Sequence, residues 1–152
     1  MTQAKVPAIE VNYLLPATYS KWYNVFLVEM TCTFIFVMIN LIVKTRKTSP
    51  TLDGFLGCFA VALTLMAMII LAADHSGGCL NPAVGFAQTM WNLINQGTSD
   101  KYYYKFLWVY IFAPYTGAVL AGLAHRAHLK AYKRIVDTAV DDLNASKMDG
   151  DN

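Results

Sequence analysis

The segment 76–88, SGGCLNPAVGFAQ, holds the residues whose types and spacing point most clearly to chemistry. A glycine-containing loop runs into Asn81-Pro82-Ala83 and then into a short uncharged stretch. Asn is a favoured helix cap and Pro suits the first helical position, so the spacing predicts a helix that starts at Pro82. Such a start carries unpaired backbone N–H groups and a partial positive charge. Placed at mid-membrane, Asn81 would present amide donors to whatever passes. Water or an alcohol accepts those hydrogen bonds, whereas a cation meets the positive dipole end and stalls, the way half-helix dipoles exclude protons and cations from water pores. The plain alternative is an ordinary capped helix.

Glu29 is the second candidate, a carboxylate alone among the apolar residues 22–43. Ionisable groups inside a membrane are costly and point to function by default. Glu29, Thr33, Phe36 and Asn40 recur at gaps of four, three and four, however, so three polar side chains share one helix face that must meet protein rather than lipid. A structural role therefore outweighs proton transfer, which would also need a second intramembrane carboxylate as relay. Asp74 and His75 lie at the mouth of the loop, where one His-Asp pair lacks the further ligands of a zinc site. Loop anchoring is the expectation for both, with no metal and no cofactor. Cys32, Cys58 and Cys79 have neither metal-ligand spacing nor an even count, and read as small packing residues.

The elements that would position these groups follow from hydropathy. Of the 152 residues 56% are hydrophobic and 14% charged, where soluble domains carry roughly 25% charged residues. With a mean hydropathy of +0.38, the chain reads as a membrane protein of one domain. A soluble hydrolase is excluded. The net charge of +2 gives no basic field for nucleic acid. Uncharged or nearly uncharged runs at 22–43, 54–73 and 106–124 are long enough to span a bilayer core. The helical part of a fourth run, 82–94, would reach only about 20 Å, so it is expected to be re-entrant or interfacial. Small residues line one face of the second span (Gly57, Ala60, Thr64, Ala67) and of the third (Ala113, Gly117, Ala121, Ala124), which permits close helix crossing. Tyr102, Tyr103, Tyr104, Trp91 and Trp108 read as interfacial aromatics.

Before the first span, residues 1–21 form an arm that resembles neither a transit peptide nor a cleavable signal. After the third, residues 127–143 form an amphipathic tail helix with Leu129, Tyr132, Val136, Ala139 and Leu143 on its apolar face, and 144–152 read as a disordered end. A truncated gene model of a longer channel stays open as a reading of the sequence, and against it the arm and this polar end look like natural termini. Basic residues near the span ends divide unequally. Lys44, Arg46, Lys47, Arg126, Lys130, Lys133 and Arg134 gather on one side, with Lys5, Lys21, Lys101 and Lys105 on the other. The positive-inside tendency places the N-terminus outside, the C-terminus inside, and the short helix entering and leaving by one face. The Asn144-Ala145-Ser146 sequon then stays inside and unglycosylated.

Beside three spans, the motif resembles the aquaporin or major intrinsic protein family. VFLVEMTCTFIFV, with Glu29 and Thr33, is similar to the helix that opens each half of such channels, although Cys32 stands where Gly is usual. LDGFLGCFAVALTL resembles the next helix, and FLWVYIFAPYTGAVLAGL, with Pro114 and Gly117, the last helix of the family's second half. The resemblance covers residues 22–126 and implies an all-α membrane protein with half the aquaporin fold: three transmembrane helices plus one re-entrant half-helix. It further implies that Asn81, Pro82 and Ala83 are the pore motif and that Glu29 accepts hydrogen bonds from the loop backbone. Ile69, Gly78 and Val84 fall at filter-equivalent positions, with Val84 where the second half usually has Arg. A pore built here would be wide and apolar. Valine after the motif is more usual in the family's first half, whereas Asp74, Pro114 and the charge bias favour the second.

Three functions remain open at this level. The first is half of a channel for water or small neutral solutes, which needs a second half or partner because three spans and one half-helix cannot wall a pore. The second is a non-conducting structural subunit of a larger membrane complex. The third, a proton-coupled transporter, rests on Glu29 alone. None is an enzyme. All place the chain in a lipid bilayer, in the cell or vacuolar membrane for a channel or the mitochondrial inner membrane for a complex subunit. The topology is directly testable: single cysteines introduced near Thr48 and Lys133 should react with an impermeant reagent from the same face, and labelling from opposite faces overturns it.

Overall fold

The computed structural model describes residues 22–51, 53–96 and 106–150. They form four helices: α1 (Trp22–Lys44), α2 (Gly54–Ser76), α3 (Pro82–Gln96) and α4 (Leu107–Gly150). α1, α2 and the Leu107–Leu143 part of α4 are long and apolar enough to cross a membrane. α3, with 15 residues, reaches about 22 Å and is not. The arm at 1–21 and the tyrosines at 102–104 lie outside the described residues.

α1 is the central element, packed against both α2 and α4, while α3 packs on α4. The α1–α4 crossing is close because of Gly117. A side-chain carbon there would collide with the Met30 carbonyl oxygen and lie 3.1 Å from the Phe34 nitrogen. Ala113 and Ala121, one turn to either side, are fully buried and Ala124 is half-buried. At one end of this crossing the Trp22 and Trp108 rings meet at a tilt of 50°, with centroids 5.5 Å apart, and remain half-exposed, as interfacial aromatics do. At the other end His125 is buried and its Nε2 lies 3.1 Å from Thr45 Oγ1, tying α4 to the exit of α1.

α2 starts at Asp53, whose Oδ1 accepts from the Phe55 N–H at 2.9 Å as an N-cap. It packs through Gly57, where an added carbon would meet Val43 Cγ1 at 3.0 Å, and more loosely through the half-buried Ala60 and Thr64. The small-residue stripe ends there, since Ala67 is exposed. Cys58 is exposed too, contrary to its expected packing role, whereas Cys32 and Cys79 are buried. Most of α2 is uncovered: Phe55 is 78% exposed, and Leu56, Phe59, Leu63, Met66 and Ile70 all lie open. In a membrane these side chains meet lipid or another helix.

The largest departure from the sequence expectation is in α4. The third span and the amphipathic tail are one uninterrupted helix, with no boundary at 126–127, and the helix continues through 144–150, where disorder is expected. The cause is local. From Leu123 to Met148 there is neither Gly nor Pro, and Ala, Leu, Lys and Arg dominate the junction, so nothing stops the helix that the span nucleates. The tail's apolar stripe is bare, with Tyr132, Ile135, Val136 and Leu143 exposed and Leu129 half-buried.

Two glycines of α4 separate packing from propensity. Gly117→Ala should lower the melting temperature in detergent, with a cost of about 1–3 kcal/mol from overpacking. Gly122→Ala, where nothing lies within 4 Å of the added carbon, should leave it unchanged or raise it by the helix propensity of alanine, up to about 1 kcal/mol. Equal responses of the two would show that the crossing is not set by Gly117.

Candidate functional site

The loop between α2 and α3 is built around Glu29, whose side chain is fully buried. Its Oε1 accepts from Ser76 Oγ at 2.6 Å and from the Cys79 N–H at 3.0 Å, and its Oε2 accepts from the Leu80 N–H at 2.7 Å. One carboxylate therefore satisfies two consecutive loop amides and the last side chain of α2. A buried carboxylate without donors, or buried amides without an acceptor, would each cost several kcal/mol. Together they close each other's requirement.

The loop conformation needs this support. Gly77 ends α2 in the left-handed region with φ of 90°, its N–H bonded to the Ala72 and Ala73 carbonyls. Gly78 follows with φ of 65°, and an added side-chain carbon there would lie 2.9 Å from the Ile69 carbonyl oxygen. Leu80, which has a side chain, also holds a positive φ of 50°, a strained state for it. Its N–H is held by Glu29, and its carbonyl accepts a long hydrogen bond of 3.4 Å from Thr33 Oγ1. On the other side Tyr110 Oη donates to the Ser76 carbonyl at 2.6 Å.

These contacts fix the depth of the short helix. Thr33 lies eleven residues into α1, about 16 Å along a helix of about 34 Å, so Leu80 and the start of α3 sit halfway along the first span. From there α3 runs back. Gly85 packs against Tyr110, in the first turn of α4, where a side-chain carbon on Gly85 would be 2.7 Å from Tyr110 Cβ. At the tip, Asn81 Oδ1 accepts from the Ala83 N–H at 2.9 Å and the Asn81 carbonyl accepts from the Gly85 N–H at 3.0 Å. With the oxygen committed to the cap, the N–H₂ end of the exposed Asn81 amide faces away from the helix. Pro82 is half-buried, and Ala83 and Val84 are exposed beside it.

The residues singled out in the sequence do not all meet. Glu29 and Gly78 converge on the loop, Ile69 touches it through its backbone, and Val84 is 39% exposed on the first turn of α3. Asp74 and His75 are exposed on the last turn of α2, and among the described residues the loop's hydrogen bonds run to Glu29, Thr33 and Tyr110. The anchoring expected of them is made by Ser76 and Tyr110 instead. Ser76 is the first residue of the motif segment and faces Glu29 because it lies on the buried side of the last α2 turn. Tyr110 lies far along the chain, and the packing of α4 on α1 and α3 brings it in; no spacing signal marks it. Gly57 and Thr64, Gly117 and Ala121 remain at the two helix crossings, away from the loop.

Replacing Glu29 by Gln tests this brace. The amide keeps one acceptor oxygen but turns a donor towards the Cys79 or Leu80 N–H, leaving a buried group unpaired at about 1–3 kcal/mol. The yield of folded, monodisperse protein should fall. Normal yield together with loss of a proton-dependent flux would instead make Glu29 a transport group.

Comparison with known proteins agrees with this architecture. The family model for the Major intrinsic protein family matches residues 2–125. A glycerol uptake facilitator protein-like protein of Lactiplantibacillus plantarum is 39% identical over 101 residues, covering 66% of this chain and 42% of that protein. Aquaporin AqpM of Methanothermobacter marburgensis is 30% identical over 105 residues, covering 69% and 40%, and aquaporin NIP2-1 of Arabidopsis thaliana is 27% identical over 103 residues, covering 66% and 31%. The chain thus spans about two fifths or less of the length of these relatives. No solved structure matches it significantly. With three spans and one short helix among the described residues, and an Asn-Pro-Ala start halfway into the first span, the chain is an integral membrane protein of the major intrinsic protein family that carries half of the aquaporin fold.

Proposed function

We propose that this chain supplies one half of a channel for water or small neutral solutes, and that a second half, contributed by another subunit, closes the pore. The observation that carries this reading is the tip of α3. Asn81 offers N–H donors at mid-span, at the positive end of a helix, with no charged side chain on the first turn. A hydroxyl or water oxygen fits such a site and a cation does not. The names of the relatives, glycerol uptake facilitator and aquaporin, lie in the same solute class. With Val84 at the position of the usual Arg and Gly78 and Ile69 at the other filter positions, the half-pore is wide and uncharged, which favours small alcohols as well as water. Asn81, Pro82 and Ala83 are the pore residues in this reading, and Glu29 is the brace that positions them.

A second reading has its own observation. The bare apolar stripe of α4 beyond the span, with Tyr132, Ile135, Val136 and Leu143 exposed, suits a subunit that docks on a larger membrane complex. There the half-fold would be retained as a scaffold without conduction.

Reconstitution separates the readings. The chain alone, inserted in one orientation in vesicles, should shrink them in a stopped-flow osmotic assay no faster than lipid does, because one half cannot enclose a path. Isolation from its native membrane in mild detergent should yield a stoichiometric partner. Adding that partner should raise the water or glycerol permeability if the chain is a channel half, and should leave it at background if the chain is a scaffold. Permeability from the chain alone overturns the need for a second half.

A further inference from the structure

A cavity of about 580 Å³ lies away from the α3 loop, between the last turns of α1 and the first half of α2. Its deeper wall is mainly apolar, with Val43 of α1 and Gly57, Val61 and Leu65 of α2, and the polar residues Asn40, Ser49 and Thr51 line it as well. From Gly54 to Leu65 the trough runs about 16 Å along α2, roughly half the thickness of a bilayer core. Lys44 and Arg46 stand at its open end, both exposed, with Lys47 exposed beside them. The acidic residue at the rim, Asp53, has its carboxylate engaged as the N-cap of α2. The Asn40 Oδ1 is buried in the wall and has no hydrogen-bond partner among the described residues.

We propose that this cavity is a binding site for one anionic phospholipid, with the phosphate between Lys44 and Arg46 and one acyl chain in the Val43–Gly57–Val61–Leu65 trough. The trough begins at the membrane surface, where the span ends, and its lining reaches Leu65, about one leaflet deep, which is the reach of an acyl chain. Two cations over that opening match an anionic headgroup, and basic pockets between transmembrane helices hold such headgroups on the cytoplasmic or matrix side. Gly57 gives the trough its depth, since any larger residue there would press on Val43. An apolar protein helix fits the same site less well, because it brings no anion to set between Lys44 and Arg46.

The test is retention of lipid by the full chain, extracted from bilayers of equimolar phosphatidylglycerol and phosphatidylcholine and weighed by native mass spectrometry. One phosphatidylglycerol should stay bound in clear excess over phosphatidylcholine. Lys44→Gln and Arg46→Gln change exposed side chains and should keep the helical circular dichroism, and each should reduce that excess about fivefold. Val61→Trp fills the trough without touching a charge and should also abolish retention. Millimolar inorganic phosphate should not displace the lipid. Equal retention of the two lipids, or none, overturns the proposal and returns the trough to a protein contact. Unchanged retention in Val61→Trp overturns it in favour of charge adsorption at the surface, and displacement by phosphate in favour of a simple anion site.

Discussion

A carboxylate inside an apolar bundle must be met by donors, and a loop that enters the bundle must bring its amides to an acceptor. Glu29 and the 76–80 loop solve these two problems with the same three hydrogen bonds. Everything specific to this fold follows from that exchange. Without it the loop could not be buried, since unpaired backbone groups are not tolerated away from water. Without a buried loop α3 could not begin at mid-span, and Asn81 would cap a helix lying on the surface. The positive φ of Leu80 belongs to the same constraint: the backbone accepts a poor conformation because both its N–H and its carbonyl are held, by Glu29 and Thr33 respectively.

The brace works only if α1 is itself immobile, and the packing shows how that is arranged. Glu29 and Thr33 are on one face of α1, and Met30 and Phe34, one residue further round, meet Gly117 on α4. The glycine lets the two backbones approach until the Met30 carbonyl leaves no room for a side chain. Tyr110, two turns before Gly117, then reaches the Ser76 carbonyl. The loop is therefore gripped between α1 and α4, from one side by a carboxylate and from the other by a phenol, and the close crossing sets the distance between the two grips.

Much of this was legible in the sequence because the signals are local. The spans follow from uncharged runs, the start of α3 from Asn81 and Pro82, and the inward face of α1 from the four-three-four spacing of Glu29, Thr33, Phe36 and Asn40. The role of Glu29 was legible only through resemblance, because spacing shows that a carboxylate faces protein and not which protein atoms it meets. Ser76 and Tyr110 were missed for that reason, being chosen by tertiary contact rather than by periodicity. Asp74 and His75 were overrated because their position at the loop mouth was visible while the turn phase, which points them outward, was not. The tail was divided at 126–127 because polarity changes there, yet polarity does not stop a helix. Neither Pro nor Gly occurs between Leu123 and Met148 to weaken it there.

The exposed surface is of two kinds, and they make different demands. Phe55, Leu56, Phe59, Leu63 and Ile70 of α2 are apolar, and lipid satisfies them as well as protein does. Asn81 differs. Its amide donors are exposed halfway along the span, at a depth where hydrocarbon offers no acceptor, so the tip of α3 must face either water or a polar group of another chain. A channel half and a scaffold subunit meet that demand in opposite ways, the first by keeping a column of water against Asn81 and the second by filling the space with protein. Among the described residues α1 and α4 back the loop while the tip of α3 is left open. The same geometry that makes Asn81 fit to bind a passing oxygen thus sets what either proposed role has to supply at the tip of α3: an acceptor for the amide at mid-span depth.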